Sequence, residues 1–378
     1  MNSNQILIEK DVSERIKIAR VICILAVIYV HIPPNTNIMT NNIFSFEFFI
    51  QEIRYFIGRT SVPLLSIVSG YLMVTLLARK NWTQQMRGKF KTLILPLVLW
   101  SLIKFVLTVA NSGLPQDADA LYYLNSFLAL TRYPASSQLY FLRDIFVCGL
   151  FFPVILFMLR ANVWITLLIL TSNSIANFDS VLFINSQIPL FFAAGCAFAL
   201  PQTPLSIRAI DNNMGTLFPI AFLALFPLLI AFAIVDPGWW RSQNGSLMLN
   251  FLVLVSRIGG SLCFWYLSLV IYRKALAPYV LRYEPVIFFV FCSHLVLMGL
   301  VWEVLRQLGS EIGDPVYMIF FITAPLTSLA TGIVSVYVLR KISPKLLELL
   351  MGGRIPDDKQ MRRMLGNPLL ADSPARNM

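Results

Sequence analysis

Arg20 and His31, both on the first apolar segment, are the residues best suited by type and position to carry out chemistry. They are eleven positions apart, and three turns of α-helix take about 10.8 residues, so both project from nearly one face, about 16 Å apart along the axis. Histidine titrates near neutrality and can take the proton of a hydroxyl while that oxygen attacks an activated acyl group. Arginine stays charged, and its planar fork suits a carboxylate or a phosphate. On spacing alone, the pair reads more readily as an interfacial histidine and a cationic anchor at the mouth of a membrane helix.

Further ionisable groups lie in or near apolar runs, where burying a charge costs several kcal/mol unless it faces a cavity or a partner. Arg59, Lys104, Arg143 and Arg257 form one such set. Snorkelling accounts for the shallower Arg59 and Lys104. Arg143 and Arg257 are expected to line a cavity and bind a dicarboxylic acyl group, an acidic glycan or a phosphate. His294, in mid-segment, is expected to be a neutral imidazole bonded to a neighbouring helix. Glu47, Glu52 and Glu303 are candidates for orienting His31 or an acceptor. Gly259, Gly260 and Ser261 should let two helices pack closely.

The elements that hold these residues follow from composition. Of 378 residues, 57% are apolar and 13% charged, against about 45–50% and about 25% in a globular domain. At about 20 residues per crossing, that apolar content supplies about ten helices. The fold class is therefore all-α, a polytopic membrane protein, and soluble and disordered classes are excluded. The segments run roughly 16–32, 61–78, 92–110, 140–159, 162–178, 181–200, 215–235, 248–271, 285–304 and 316–339. The first has no small-residue cleavage pattern and is expected to be a retained helix rather than a signal peptide. A membrane domain over 1–345 and a cytoplasmic tail over 346–378, mobile or surface-lying from Gly352 to Met378, complete the expected organisation.

The net charge of +11 would suggest nucleic acid in a soluble protein. Here 22 of the 30 basic residues fall before or at the opening of the first segment, in alternate loops or in the tail. The positive-inside rule then puts both termini in the cytoplasm, and no nucleic-acid partner is expected. Cys23, Cys148, Cys196, Cys263 and Cys292 lie scattered in apolar runs beside only two histidines. Neither a disulfide framework nor a metal site is expected.

The stretch Arg15 to His31, RIKIARVICILAVIYVH, resembles the opening helix of the acyltransferase-3 family of integral membrane acyltransferases, with its Arg, ten intervening residues and His. Val62 to Leu72, VPLLSIVSGYL, is similar to that family's second helix, with the Ser-Gly pair at Ser69 and Gly70. Phe90 to Pro96 resembles its basic loop followed by proline, and Leu139 to Arg143 its Trp-Phe-Leu segment, with Tyr140 in place of Trp. The specific motifs lie in the first 145 residues; the later half matches in character.

The resemblance implies acyl transfer to a sugar hydroxyl, with His31 as catalytic base, Arg20 handling the donor, and Arg143, Arg257, Arg59, Lys104 and Ser69 as substrate or oxyanion candidates. It implies an acyl-CoA donor substrate (succinyl-CoA or acetyl-CoA) and no bound cofactor. The acceptor would be a polysaccharide or lipid-linked oligosaccharide in a bacterial inner membrane, where other exopolysaccharide biosynthesis proteins are potential partners. Length and the first helix look most like the succinyltransferases of the exopolysaccharide succinoglycan. O-acetylation of another envelope glycan, and transport of a lipid-linked glycan, are the alternatives.

Overall fold

The computed structural model describes residues 10–34, 40–116, 118–177 and 182–366. The tail end 367–378, including Arg376, and residues 178 and 181 of the expected fifth and sixth segments lie outside them. Among the described residues the chain is built from helices joined by short loops, with no strand.

Helix α1, Lys10–Val27, tightens into a last turn, Ile28–His31, that ends on the histidine. Next come α2, Phe46–Thr75, and α3, Trp82–Ser112, followed by the short α4, Ala120–Leu128. Helices α5, Ser137–Leu150, and α6, Phe152–Ala161, meet at a 61° bend. Then follow α7, Val163–Ala176, α8, Gln187–Ala199, and α9, Ile207–Asn212. The second half holds α10, Met214–Ile234, α11, Gln243–Arg273, and α12, Ala277–Leu281. It ends with α13, Glu284–Gln307, α14, Pro315–Ile342, α15, Pro344–Leu350, and α16, Asp358–Leu365.

Among the described residues, six helices (α2, α3, α10, α11, α13 and α14) are long and apolar enough to cross a membrane, or seven if the bent α5–α6 pair counts as one. The expected first segment is less apolar, because α1 opens on Lys10, Asp11, Glu14, Arg15 and Lys17. The fifth and sixth become α7 and α8, apolar but under 18 residues each. The second starts well before the expected residue 61. Its first half carries Glu47, Glu52, Arg54 and Arg59, which depress hydropathy, yet Glu52 and Arg54 are buried by the rest of the bundle.

The α5–α6 bend has a local cause. Pro153 has no N–H to donate to the carbonyl of Gly149, four residues back, and its ring clashes with that carbonyl. The freed oxygen instead accepts the Trp82 indole N–H at 2.9 Å, which ties the break to the start of α3.

Helices α2 and α8 pack backbone to backbone. A Cβ on Gly70 would collide with the Phe192 carbonyl oxygen, and one on Gly195 with that of Ile67. Ser69 hydrogen-bonds the Leu65 carbonyl of its own helix at 2.8 Å. Its hydroxyl is satisfied within this packed region, about ten residues or 15 Å along α2 from Arg59, so the structure does not bring Ser69 to the candidate site.

Residues 346–366, the described part of the expected tail, pack against the bundle. Leu347, Leu350, Met351, Met361 and Met364 are buried in the main core. Trp100 Nε1 donates to the Leu350 carbonyl at 3.2 Å, and the Arg354 guanidinium stacks 4.0 Å from the Phe288 ring centroid. Apolar residues at helical spacing give α15 and α16 a face to bury.

Candidate active site

Helices α1 and α13 lie side by side and are joined at two levels. Near their starts, Arg20 Nη2 donates to Glu284 Oε1 at 2.8 Å. Eleven residues on along α1 and ten along α13, the rings of His31 and His294 stand 5.5 Å apart, centroid to centroid. Matching spacings on the two helices mean that they run parallel, so the rungs mark opposite ends of one interhelical seam, about 15–16 Å apart.

At the Arg20 end, α1 is held by a third cation. Arg15 is 1% exposed and forms a two-pronged ion pair with Asp211, one prong at 2.8 Å. The Trp265 indole donates to the same carboxylate at 2.9 Å, and the Arg15 guanidinium lies 4.0 Å from that ring. Nothing in the residues around Arg15 distinguishes it from an ordinary cationic anchor, because its partner is 196 residues away in sequence. Beside it opens a cavity of about 860 Å³ lined by Lys17, Arg273, Arg282, Arg363 and Glu284, with Gln360 of α16 closing one side. Four cations against two acids, Glu14 and Glu284, give its wall a positive balance suited to an anionic ligand.

At the His31 end, α2 carries one wide turn, Arg54–Arg59, of the π type that often occurs at functional sites. It aims two arginines at the end of α1. Arg54 Nη2 donates to the Ile32 carbonyl at 2.9 Å and to that of Pro34 at 3.3 Å, fixing the chain just after His31. Arg59 stacks over the Tyr55 ring at 4.3 Å. The titratable groups nearest His31 include His294, Arg59 and Arg54. Arg54 was not among the residues singled out from sequence, and the wide turn that places it leaves no sequence signal.

Arg257 on α11 joins the same neighbourhood. Its surroundings include Arg59, Tyr55, Tyr133 and Tyr140, and its Nη1 donates to the Gln187 side-chain oxygen. Close packing brings it there: a Cβ on Gly260 would collide with Thr60 of α2, one residue beyond Arg59, and one on Gly259 with the Ala221 carbonyl of α10. Small residues at the crossing are what the sequence led us to expect.

The other sequence candidates divide. Arg143 is occupied with structure: it donates to Asp144 at 2.9 Å, to the Leu130 carbonyl at 2.8 Å and to the Leu182 carbonyl. Asp144 in turn accepts the backbone N–H groups of Ile184 and Asn185. Arg143 thus pins two loops, with three of its five N–H donors committed to these acceptors. Lys104 reaches α13 at Gly299, where its Nζ lies 3.8 Å from the position a Cβ would take. Glu303 is bound by Arg306 and Gln307 of its own helix, while Glu52 is buried on α2, two residues before Arg54, and Glu47 lies in the first turn of the same helix. His294 bonds the Phe291 and Val290 carbonyls of its own helix, at 2.8 and 3.3 Å, not a neighbouring helix.

The all-helical bundle, with a histidine ending its first helix among arginines, fits a membrane-embedded group-transfer site. Residues 13–339 match the family model described as an acyltransferase domain, Acyl_transf_3, and the chain belongs to that family of membrane acyltransferases. It is also 27% identical over 360 residues to the succinoglycan biosynthesis protein ExoH of Rhizobium meliloti (strain 1021), a match covering 92% of this chain and 94% of the relative. No solved structure matches the chain.

Proposed function

We propose that this chain transfers an acyl group from an acyl-CoA to a sugar hydroxyl of an exopolysaccharide or its lipid-linked repeat, from a bacterial inner membrane. The carrying observation is the placement of His31 at the end of α1 near Arg54 and Arg59, with Arg257 close to Arg59, and of Arg20 and a cationic cavity at the other end of the same helix.

In this scheme the positively lined cavity, with Arg20 at Glu284 beside it, receives the phosphates of the donor, and the thioester reaches along α1 toward His31. The imidazole takes the hydroxyl proton as the sugar oxygen bonds to the acyl carbon. The carbon–sulfur bond then breaks, and the proton passes from His31 to the departing thiolate. Arg59 and Arg257 offer positive charge to the oxyanion that develops on the way. They would equally bind the free carboxylate of a succinyl group. The relative's place in succinoglycan biosynthesis supports an exopolysaccharide acceptor and, with those cations, a succinyl donor. It also supports other proteins of such a biosynthetic system as partners.

Ten crossings with both termini cytoplasmic fit this scheme. Counting α1, α7, α8 and the bent α5–α6 pair with the six long helices gives ten, and the basic loops then fall on the side where acyl-CoA is found. The catalytic unit extends over 1–345, with the segment from 346 closing the donor side through α16.

The test is the acyl content of polysaccharide from cells carrying the parent chain or His31→Ala. Loss of succinyl half-esters is expected. Loss of acetyl groups instead would reassign the donor to acetyl-CoA. Unchanged acylation with lost secretion would replace the enzyme by a glycan transporter.

A further inference from the structure

The chain has only two histidines, and the fold sets them ring to ring, 5.5 Å between centroids. His294 is wholly buried, at 0% exposure. Its Nδ1 lies 2.8 Å from the Phe291 carbonyl and 3.3 Å from that of Val290. A carbonyl can only accept, so Nδ1 must carry the proton, and in the neutral ring Nε2 is left as a lone pair. That Nε2 is buried and has no hydrogen-bond partner among the described residues. The same holds for Nδ1 of His31. A buried donor or acceptor left without a partner is destabilising, and one donor–acceptor contact between the rings would relieve both. Catalytic hydrogen bonds are often long before the substrate binds and tighten in the reacting complex.

We propose that His294 is the positioning residue of a histidine pair: its Nε2 accepts the Nδ1–H of His31, which holds His31 in the tautomer whose Nε2 takes the acceptor's proton. The inference rests on His31 being the base. In catalytic triads a carboxylate does this orienting work. Here the charged neighbours of His31 are Arg54 and Arg59, and a neutral imidazole takes the carboxylate's place. Proton bookkeeping is unchanged by it: the hydroxyl proton goes to His31 Nε2 and on to the thiolate, and His294 keeps one proton throughout.

Two histidines make a direct test practical. The full chain, labelled with ¹⁵N-histidine and held in detergent or nanodiscs, should show two imidazoles, each protonated at Nδ1 and bare at Nε2; His31→Ala assigns them. In His294→Phe, the remaining ring should lose its fixed Nδ1–H form. The same variant should lower kcat about tenfold to a hundredfold, the scale on which removing an orienting partner acts, with KM for donor and acceptor unchanged. His294→Gln, whose side-chain oxygen can accept, should recover part of that loss at the thermal stability of His294→Phe. A parent spectrum with either ring protonated at Nε2 would overturn the proposal, as would a His294→Phe variant with kcat within twofold of the parent. Full acyl transfer by His31→Ala would instead remove the catalytic role of His31, whatever tautomers the spectrum shows.

Discussion

His31 and His294 face one another across the α1–α13 seam, and the ion pair of Arg20 with Glu284 closes the same seam at its other end. An acyl donor with a charged nucleotide and a long, flexible arm matches that layout: phosphates at the cationic end, thioester at the histidine end. In the proposed scheme the seam would let an Arg and a His eleven positions apart serve one function. They are not neighbours; they stand at the two ends of the α1–α13 seam.

If His31 is the base, its loss removes proton transfer but leaves the bundle intact, since only its last helical turn is disturbed. His31→Ala should lower kcat by about 10²–10⁴-fold, the usual contribution of a general base, while yield and thermal midpoint stay near those of the parent. Acylation of a defined oligosaccharide by purified protein in nanodiscs, read by mass spectrometry, checks it. Parent-level turnover would remove His31 from the mechanism.

Arg257 and Arg143 separate ligand binding from structure. Arg257 shares its neighbourhood with Arg59 and has a single side-chain acceptor, Gln187, so Arg257→Ala should raise the KM for a dicarboxylic donor well above its effect on an acetyl donor. Arg143→Ala should act through folding. It leaves the buried Asp144 carboxylate without its cation, a defect worth about 3–5 kcal/mol. Kinetics with both donors, paired with thermal melts, distinguish the two, and equal donor discrimination in parent and Arg257→Ala would sink the specificity role.

How much of this was legible in sequence depends on whether the signal was local. The apolar runs located most helices, and the Arg20 to His31 spacing located the seam's two ends on α1. The first half of α2 was not legible, because Glu52, Arg54 and Arg59 look like loop residues until the bundle that covers them is known. The partner of Arg15 is 196 residues away, and no local pattern could reveal it. His294 was visible as a mid-helix histidine, but its relation to His31 exists only once α1 and α13 are packed. Ser69 and Gly70 were visible as a motif, but the close approach of α8 at Gly70 is seen only once α2 and α8 are packed.

That close approach can itself be tested. Gly70 and Gly195 each leave room for a carbonyl of the opposing helix, so a methyl on either must push α2 and α8 apart. Overpacking of this kind costs about 1–3 kcal/mol. Gly70→Ala and Gly195→Ala should each lower the thermal midpoint. Their combination should cost less than the sum of the two, because the first separation already makes room for the second methyl. Additive losses would show that the two contacts are independent.

The Arg15–Asp211 pair is expected to anchor α1, and with it both rungs of the seam. Arg15 is buried at 1% exposure, is paired through both guanidinium nitrogens, and is stacked on Trp265, so removing one partner strands a charge out of water. Asp211→Asn or Arg15→Ala should therefore destabilise the chain by about 3–5 kcal/mol. Replacing both with apolar residues, Arg15→Met with Asp211→Leu, should recover most of that, because no charge is then left unpaired. The double variant should also keep acyl transfer, since neither side chain lies at the His31 end. Denaturation in detergent, run beside the oligosaccharide assay, reads both outcomes. A double variant as unstable as Arg15→Ala would mean that the guanidinium's contact with Trp265, and not the ion pair, holds α1 in place.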